Sequence, residues 1–158
     1  MKWTIQALKK RLHQNTDFSY QCDYRQYLDP QSDLVDVSLV QVTGKFGYME
    51  HEDRFVFDLS IRSNLTMLCA VTLDQVDVSL DFETRLEFSS RVTDDNTLPI
   101  EGITIDLNPY VWAEILVEKP MRVLGPNASS IDFSGSDNTD VQDEPIAEHP
   151  FAALKPTK

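Results

Sequence analysis

Residues 55–88 read FVFDLSIRSNLTMLCAVTLDQVDVSLDFETRLEF. Phe55, Phe57, Leu59, Ile61, Leu65, Met67 and Cys69 hold odd positions, and Val76, Val78, Leu80, Phe82, Leu86 and Phe88 hold even ones. Successive side chains of a strand point to opposite sides, so this period of two is the mark of a strand with one buried face. The phase changes once, within Met67-Leu68-Cys69-Ala70-Val71-Thr72-Leu73, which predicts two long strands joined at a corner. The outward face of the second strand carries Gln75, Asp77, Ser79, Asp81, Glu83, Arg85 and Glu87, a set that faces either water or a basic partner and discourages edge pairing.

Upstream, Val40, Val42, Phe46 and Tyr48 continue the alternation in a run from about Val35 to Glu50, with Gly44 and Gly47 as places for a bulge or bend. The polar Glu50-His51-Glu52-Asp53-Arg54 has the length of a hairpin loop, and three strands that turn back in succession make an antiparallel meander. Phe18, Tyr20, Cys22 and Tyr24 predict an earlier strand with Cys22 in the core, and Ile103, Ile105 and Leu107 a short last one. Ile5, Leu8 and Leu12 suit a short N-terminal helix after an extended segment around Trp3. A second helix, near residues 109–119, is expected to start at an Asn108 cap with Pro109 behind it. Its inward stripe is Val111, Trp112, Ile115 and Leu116, with Trp112 packing on the sheet; Glu114 and Glu118 lie opposite, and Pro120 ends it. The fold class is mainly β with minor α (α+β): an antiparallel meander that can close partly into a barrel.

With 158 residues, 41% hydrophobic and 25% charged, the chain suits one domain over residues 1–124. Residues 125–158 form an acidic tail rich in Ser, Asp, Asn, Pro and Gly, too poor in apolar area to offset about 1–2 kcal/mol of backbone entropy per ordered residue. The formal charge of -12 repels a nucleic-acid backbone over most of the surface. The exception is the start, where Lys2, Lys9, Lys10 and Arg11 occur with no acid before Asp17. No segment has a membrane-span or signal pattern, and Cys22 and Cys69 are read as free thiols in a reducing compartment, so a cytoplasmic location is expected.

Chemistry-bearing motifs are missing. His13, His51 and His149 have no nucleophile or acid at catalytic spacing, and there is no phosphate loop, nucleophile elbow or zinc-protease motif. Asp74 points opposite to Asp77 and Asp81 if all lie on one strand, and Cys69 has Thr72 where a C-x-x-C pair would need its second thiol. The aspartates could give only a weak cation site and a lone thiolate cannot fill a tetrahedral one, so no catalytic residue, metal or cofactor is expected.

The order of Met1-Lys2-Trp3-Thr4-Ile5 with Leu8-Lys9-Lys10, the corner Met67–Leu73, the helix Trp112-Ala113-Glu114-Ile115-Leu116 closed by Pro120, and the terminal Pro150-Phe151-Ala152-Ala153-Leu154-Lys155 resembles the YceD family. Its members are called large ribosomal RNA subunit accumulation proteins. The resemblance covers nearly the whole chain, and it implies a non-enzymatic role in 23S rRNA accumulation and large-subunit biogenesis in the bacterial cytoplasm. Many members carry the full C-x-x-C, so a metal role is not carried over to Cys69 and Thr72. Joined to the charge pattern, it suggests binding of a basic ribosomal protein, assembly factor or assembly intermediate through Asp77, Asp81, Glu83 and Glu87, with Pro150, Phe151 and Leu154 as a terminal docking motif. Two alternatives stay open: an RNA contact through Lys2, Lys9, Lys10 and Arg11, and a β barrel that holds a small ligand. The sequence does not fix the oligomeric state.

Overall fold

The computed structural model describes residues 1–91 and 97–128. In chain order they form β1 (Lys2–Thr4), α1 (Ile5–Arg11), β2 (Asp17–Cys22), β3 (Leu34–Val37), β4 (Val40–Met49), β5 (Arg54–Leu68), β6 (Gln75–Ser89), β7 (Thr97–Pro99), β8 (Thr104–Asp106) and α2 (Asn108–Glu118), with one 3₁₀ turn at Arg25–Tyr27. The main sheet has the order β2-β4-β5-β6-β7, with β3 beside the far end of β5, and it curls into a half-barrel. The meander β4-β5-β6 is antiparallel, as the alternation predicts, while β7 joins β6 in parallel.

The strands β5 and β6 pair at every position from Arg54↔Ser89 to Leu68↔Gln75, so the corner is a hairpin turn at residues 69–74. Leu73 has a positive φ of 61° there, and Asp53 one of 49° in the preceding hairpin. Every odd residue of β5 from Phe55 to Met67 is buried, and on β6 the even residues Leu80, Leu86 and Phe88 are buried while Val76, Val78 and Phe82 are half-buried. The inner face is filled by Leu8 of α1, Val111 and Ile115 of α2, Ile105 of β8 and the half-buried Trp3 of β1. Each fully buried side chain of this size contributes about 1.5–3 kcal/mol. Among the described residues the concave side is therefore a packed core.

Several expectations need correction. The run from Val35 to Glu50 is two strands, and its register shift falls in β3 between Leu34 and Asp36, whereas β4 pairs with β5 unbroken through Gly44 and Gly47. Gly44 answers to close approach: a Cβ there would stand 2.4 Å from the Asp58 carbonyl oxygen and 3.0 Å from Leu59 Cδ2. β8 pairs with β1 in a separate ribbon, Trp3 opposite Ile105, so Ile103 is left exposed while Ile105 and Leu107 are buried.

Thr4, not an acid or amide, caps α1 by accepting from the Ala7 N–H at 3.2 Å. Asn108 caps nothing; α2 follows an αR Leu107, and the Asn108 amide oxygen accepts instead from the Met1 ammonium and from the Cys22 thiol. Cys22 is correspondingly half-buried, at the margin of the core. Trp112 packs against the core and also stacks on Tyr24 at 5.4 Å and lies near Tyr27 at 6.2 Å, so it fastens α2 to the segment after β2 as well. Leu116, expected inward, is exposed.

Candidate functional site

The outer face of the curled sheet is a lattice of cross-strand rows set by strand register. In one row Asp17 of β2, Lys45 of β4, Asp58 of β5 and Arg85 of β6 alternate in sign, with Lys45 3.5 Å from Asp17 and Arg85 2.7 Å from Asp58. The Asp58 carboxylate raises the Arg85 guanidinium pKa further above its ordinary value. These pairs are well exposed and screened by water, so each contributes little to stability.

The four acids proposed for partner contact share this face, since they are alternate residues of β6, but their surroundings differ. Asp77 accepts from the Thr66 hydroxyl at 2.8 Å, and Asp81 pairs with Arg62 at 3.0 Å. Glu87 is half-buried and holds the Arg54 guanidinium at 2.6 Å, which makes it part of the sheet's own framework. Glu83 is exposed opposite Ser60, and among the described residues it has no ion pair. A shallow depression of about 610 Å³ runs across the face beside it, bounded by Thr43, Lys45, Asp58, Ser60 and Arg85.

The basic N-terminal group divides in two. Lys9 donates to the Tyr48 hydroxyl at 3.1 Å and lies over its ring, and this hydrogen bond raises the Lys9 pKa. Tyr48 in turn donates to Asp53 at 2.6 Å, the main cause that holds the Asp53 carboxyl below its usual range. Arg11 donates to the Asp17 carbonyl at 3.2 Å and lies over Phe46. Lys2 and Lys10 are exposed. Trp3 serves as a structural centre: its ring lies 5.9 Å from Phe57 with an 8° interplanar angle and meets Phe18 edge-on at 4.9 Å.

At the hairpin turn, the fully buried Cys69 sulfur accepts from the backbone N–H of Gly125 at 3.3 Å and of Thr72 at 3.4 Å. The Gly125 N–H is the largest cause, with the Thr72 hydroxyl and the Thr72 and Val71 amides behind it, of a thiol pKa lowered to about 6. Thr72 thus meets the sulfur with donors where a second thiol would meet a metal. Among the described residues, no three His, Cys, Asp or Glu side chains converge as metal ligands. Glu114 accepts from Thr84 at 3.0 Å and ties α2 to β6, and Lys119, just before Pro120, leaves the helix at ψ 139° to pair with Asp33 at 2.9 Å. Pro150, Phe151 and Leu154 lie outside the described residues.

No family model matches this chain. No solved structure matches it either. Its sequence is similar to the uncharacterized protein YlbN of Bacillus subtilis (strain 168), with 29% identity over 127 residues that cover 78% of this chain and 73% of that protein. No helix among the described residues is long and apolar enough to cross a membrane.

Sequence reading placed the acids on one face correctly, because alternation alone decides that. It missed Arg54, Arg62 and Tyr48 as partners of Glu87, Asp81 and Lys9, and Gly125 as a partner of Cys69. The first two follow from hairpin register once the turn is placed; the Gly125 contact spans 56 positions of sequence and has no local signal.

Proposed function

We propose that this protein is a non-enzymatic factor of the bacterial cytoplasm that supports 23S rRNA accumulation and large ribosomal subunit biogenesis by holding a basic ribosomal protein, assembly factor or assembly intermediate. The observation that carries this reading is the exposed acidic row of β6, in which Asp77 and Asp81 precede a Glu83 that has no ion pair among the described residues. Charge complementarity of this kind steers a cationic partner and speeds association more than it tightens the complex. The resemblance to the YceD family supports the ribosomal assignment, and the absence of a converging nucleophile, base and metal set from the sequence motifs supports action without catalysis.

Direct RNA binding by the N-terminus has less support, since Lys9 and Arg11 are committed to Tyr48 and the Asp17 carbonyl. Filter binding of ribosomal RNA at two salt concentrations separates the readings: a phosphate-contacting protein loses affinity steeply with salt, and a protein-binding factor retains no RNA.

The decisive experiment is genetic. A strain without the protein is expected to show a lowered ratio of 23S to 16S rRNA, restored by the natural chain but not by a variant combining Asp77→Lys, Asp81→Lys and Glu83→Lys whose melting temperature is close to the natural one. A normal ratio in the deletion strain overturns the ribosomal reading, and full rescue by the folded triple variant overturns the acidic surface.

A further inference from the structure

Resting on that choice of a basic partner, we infer a mode of binding: the partner adds an extended strand to the open edge of β6. This strand has fifteen residues, of which Glu87, Phe88 and Ser89 pair with β7. From Gln75 to Leu86 its one neighbouring strand among the described residues is β5. Alternate N–H and C=O groups of that edge point away from β5, and among the described residues no backbone group of a loop or turn meets them. An unpaired edge of this length is a template for another chain, and main-chain hydrogen bonds supply affinity whatever the sequence of the added strand.

Side chains along the edge specify what fits. On the inner side Val76, Val78 and Phe82 are half-buried, so apolar residues of an incoming strand gain cover beside them. On the outer side Asp77, Asp81 and Glu83 are exposed at alternate positions. Side chains of the added strand alternate with the same period. The matching occupant is therefore a segment that alternates apolar residues with lysine or arginine. Near the start of β7, a cleft of about 510 Å³ is bounded, among the described residues, by Arg85, Leu86, Leu98, Tyr110 and Glu114.

Two competing arrangements fit less well. A second copy paired antiparallel through its own β6 brings Asp77, Asp81 and Glu83 of both chains close together, and like charges across a strand pair are destabilising. The outer edge of β2 is only six residues long, and its single acid on the outer face, Asp17, already faces Lys45.

Residue-resolved amide exchange on the full chain tests this, with a short peptide alternating valine and lysine as the probe. A peptide of the same composition with its lysines in one block, and one alternating valine and glutamate, serve as controls. Strand addition predicts that the alternating lysine peptide slows exchange at every second residue between Gln75 and Leu86 by about tenfold, equivalent to about 1.4 kcal/mol of added protection, and leaves β2 unchanged. The controls should give no such pattern, and Asp81→Lys combined with Glu83→Lys should abolish it. Binding of the lysine peptides without protection of β6 overturns strand addition while leaving an acidic contact surface in place. Protection along β2, self-association through β6, or no peptide binding overturns the inference as well, and the rRNA ratio of the deletion strain then decides the functional reading independently.

Discussion

Cys69 shows how much of a residue's chemistry lies in groups distant in sequence. Its position on the inner side of the strand is plain from the alternation, yet its ionisation depends on Gly125, which no local pattern connects to it. In an unfolded chain a thiol titrates near about 8.5. In the fold it is held down at about 6, chiefly by the Gly125 N–H. A depressed pKa means that the thiolate's hydrogen bonds stabilise the fold fully above the unfolded value, and that this contribution is lost as pH falls through the folded one. Thermal denaturation across pH should therefore show the natural protein gaining stability relative to Cys69→Ser as pH rises from about 6 to about 8.5, with no further relative change below about 6. Two curves that run parallel throughout would remove the thiolate. Tyr20 and Tyr24, pushed upward first by burial, keep their neutral forms in this range and weaken the fold only above about 10.

Among the elements, β5 and β6 were legible almost residue by residue, since the period of two runs along them and apolar residues fill most of the inner face. The smaller elements β2, β8, α1 and α2 were legible in outline, but not their contacts, because those are made with distant partners. β1 and β8 have three residues each; the alternation of Ile103, Ile105 and Leu107 marks the second as a strand, but its pairing with β1, Trp3 opposite Ile105, has no local signal. Gly44 looked like a breaker and is a point of close backbone approach, a distinction that depends on Asp58 in the next strand. Asn108 and Pro109 have the form of a helix start, but the Asn108 side chain is engaged by Met1 and Cys22. The ribbon's role can be measured. Trp3→Ala removes the ring that contacts Phe18, Phe46 and Phe57, and urea denaturation should show a loss of about 3 kcal/mol. By contrast, Lys2→Glu with Lys10→Glu alters exposed side chains and should shift the midpoint by less than about 0.5 kcal/mol.

On the scale of the whole molecule, the described part of the chain forms one unit from Met1 to Ala128, in which residues 125–128 pack with what precedes them. The reason is local: Ala70 donates to the Val123 carbonyl at 2.9 Å and Gly125 donates to the Cys69 sulfur at 3.3 Å, which holds this stretch against the turn after β5. Composition alone gave Gly125 to the acidic tail because glycine, proline and asparagine cluster there. Whether Pro150, Phe151 and Leu154 contribute to partner binding is tested by truncation before Pro145. The docking-motif reading expects the shortened chain to bind its partner at least about tenfold more weakly, a difference of about 1.4 kcal/mol, and to restore 23S rRNA poorly. Retained affinity and normal rRNA would assign the segment no part in recognition.

The pairing of Lys2 with Asp106 also bears on how the protein is made. β1 finds its mate only after some hundred further residues have been translated, which takes about 5–20 s at ordinary elongation rates. Throughout that interval the oily lining around Phe57 has neither its tryptophan lid in place nor its second helix. A pause in synthesis before residue 104 would therefore prolong the exposure of this apolar surface, the state most open to aggregation.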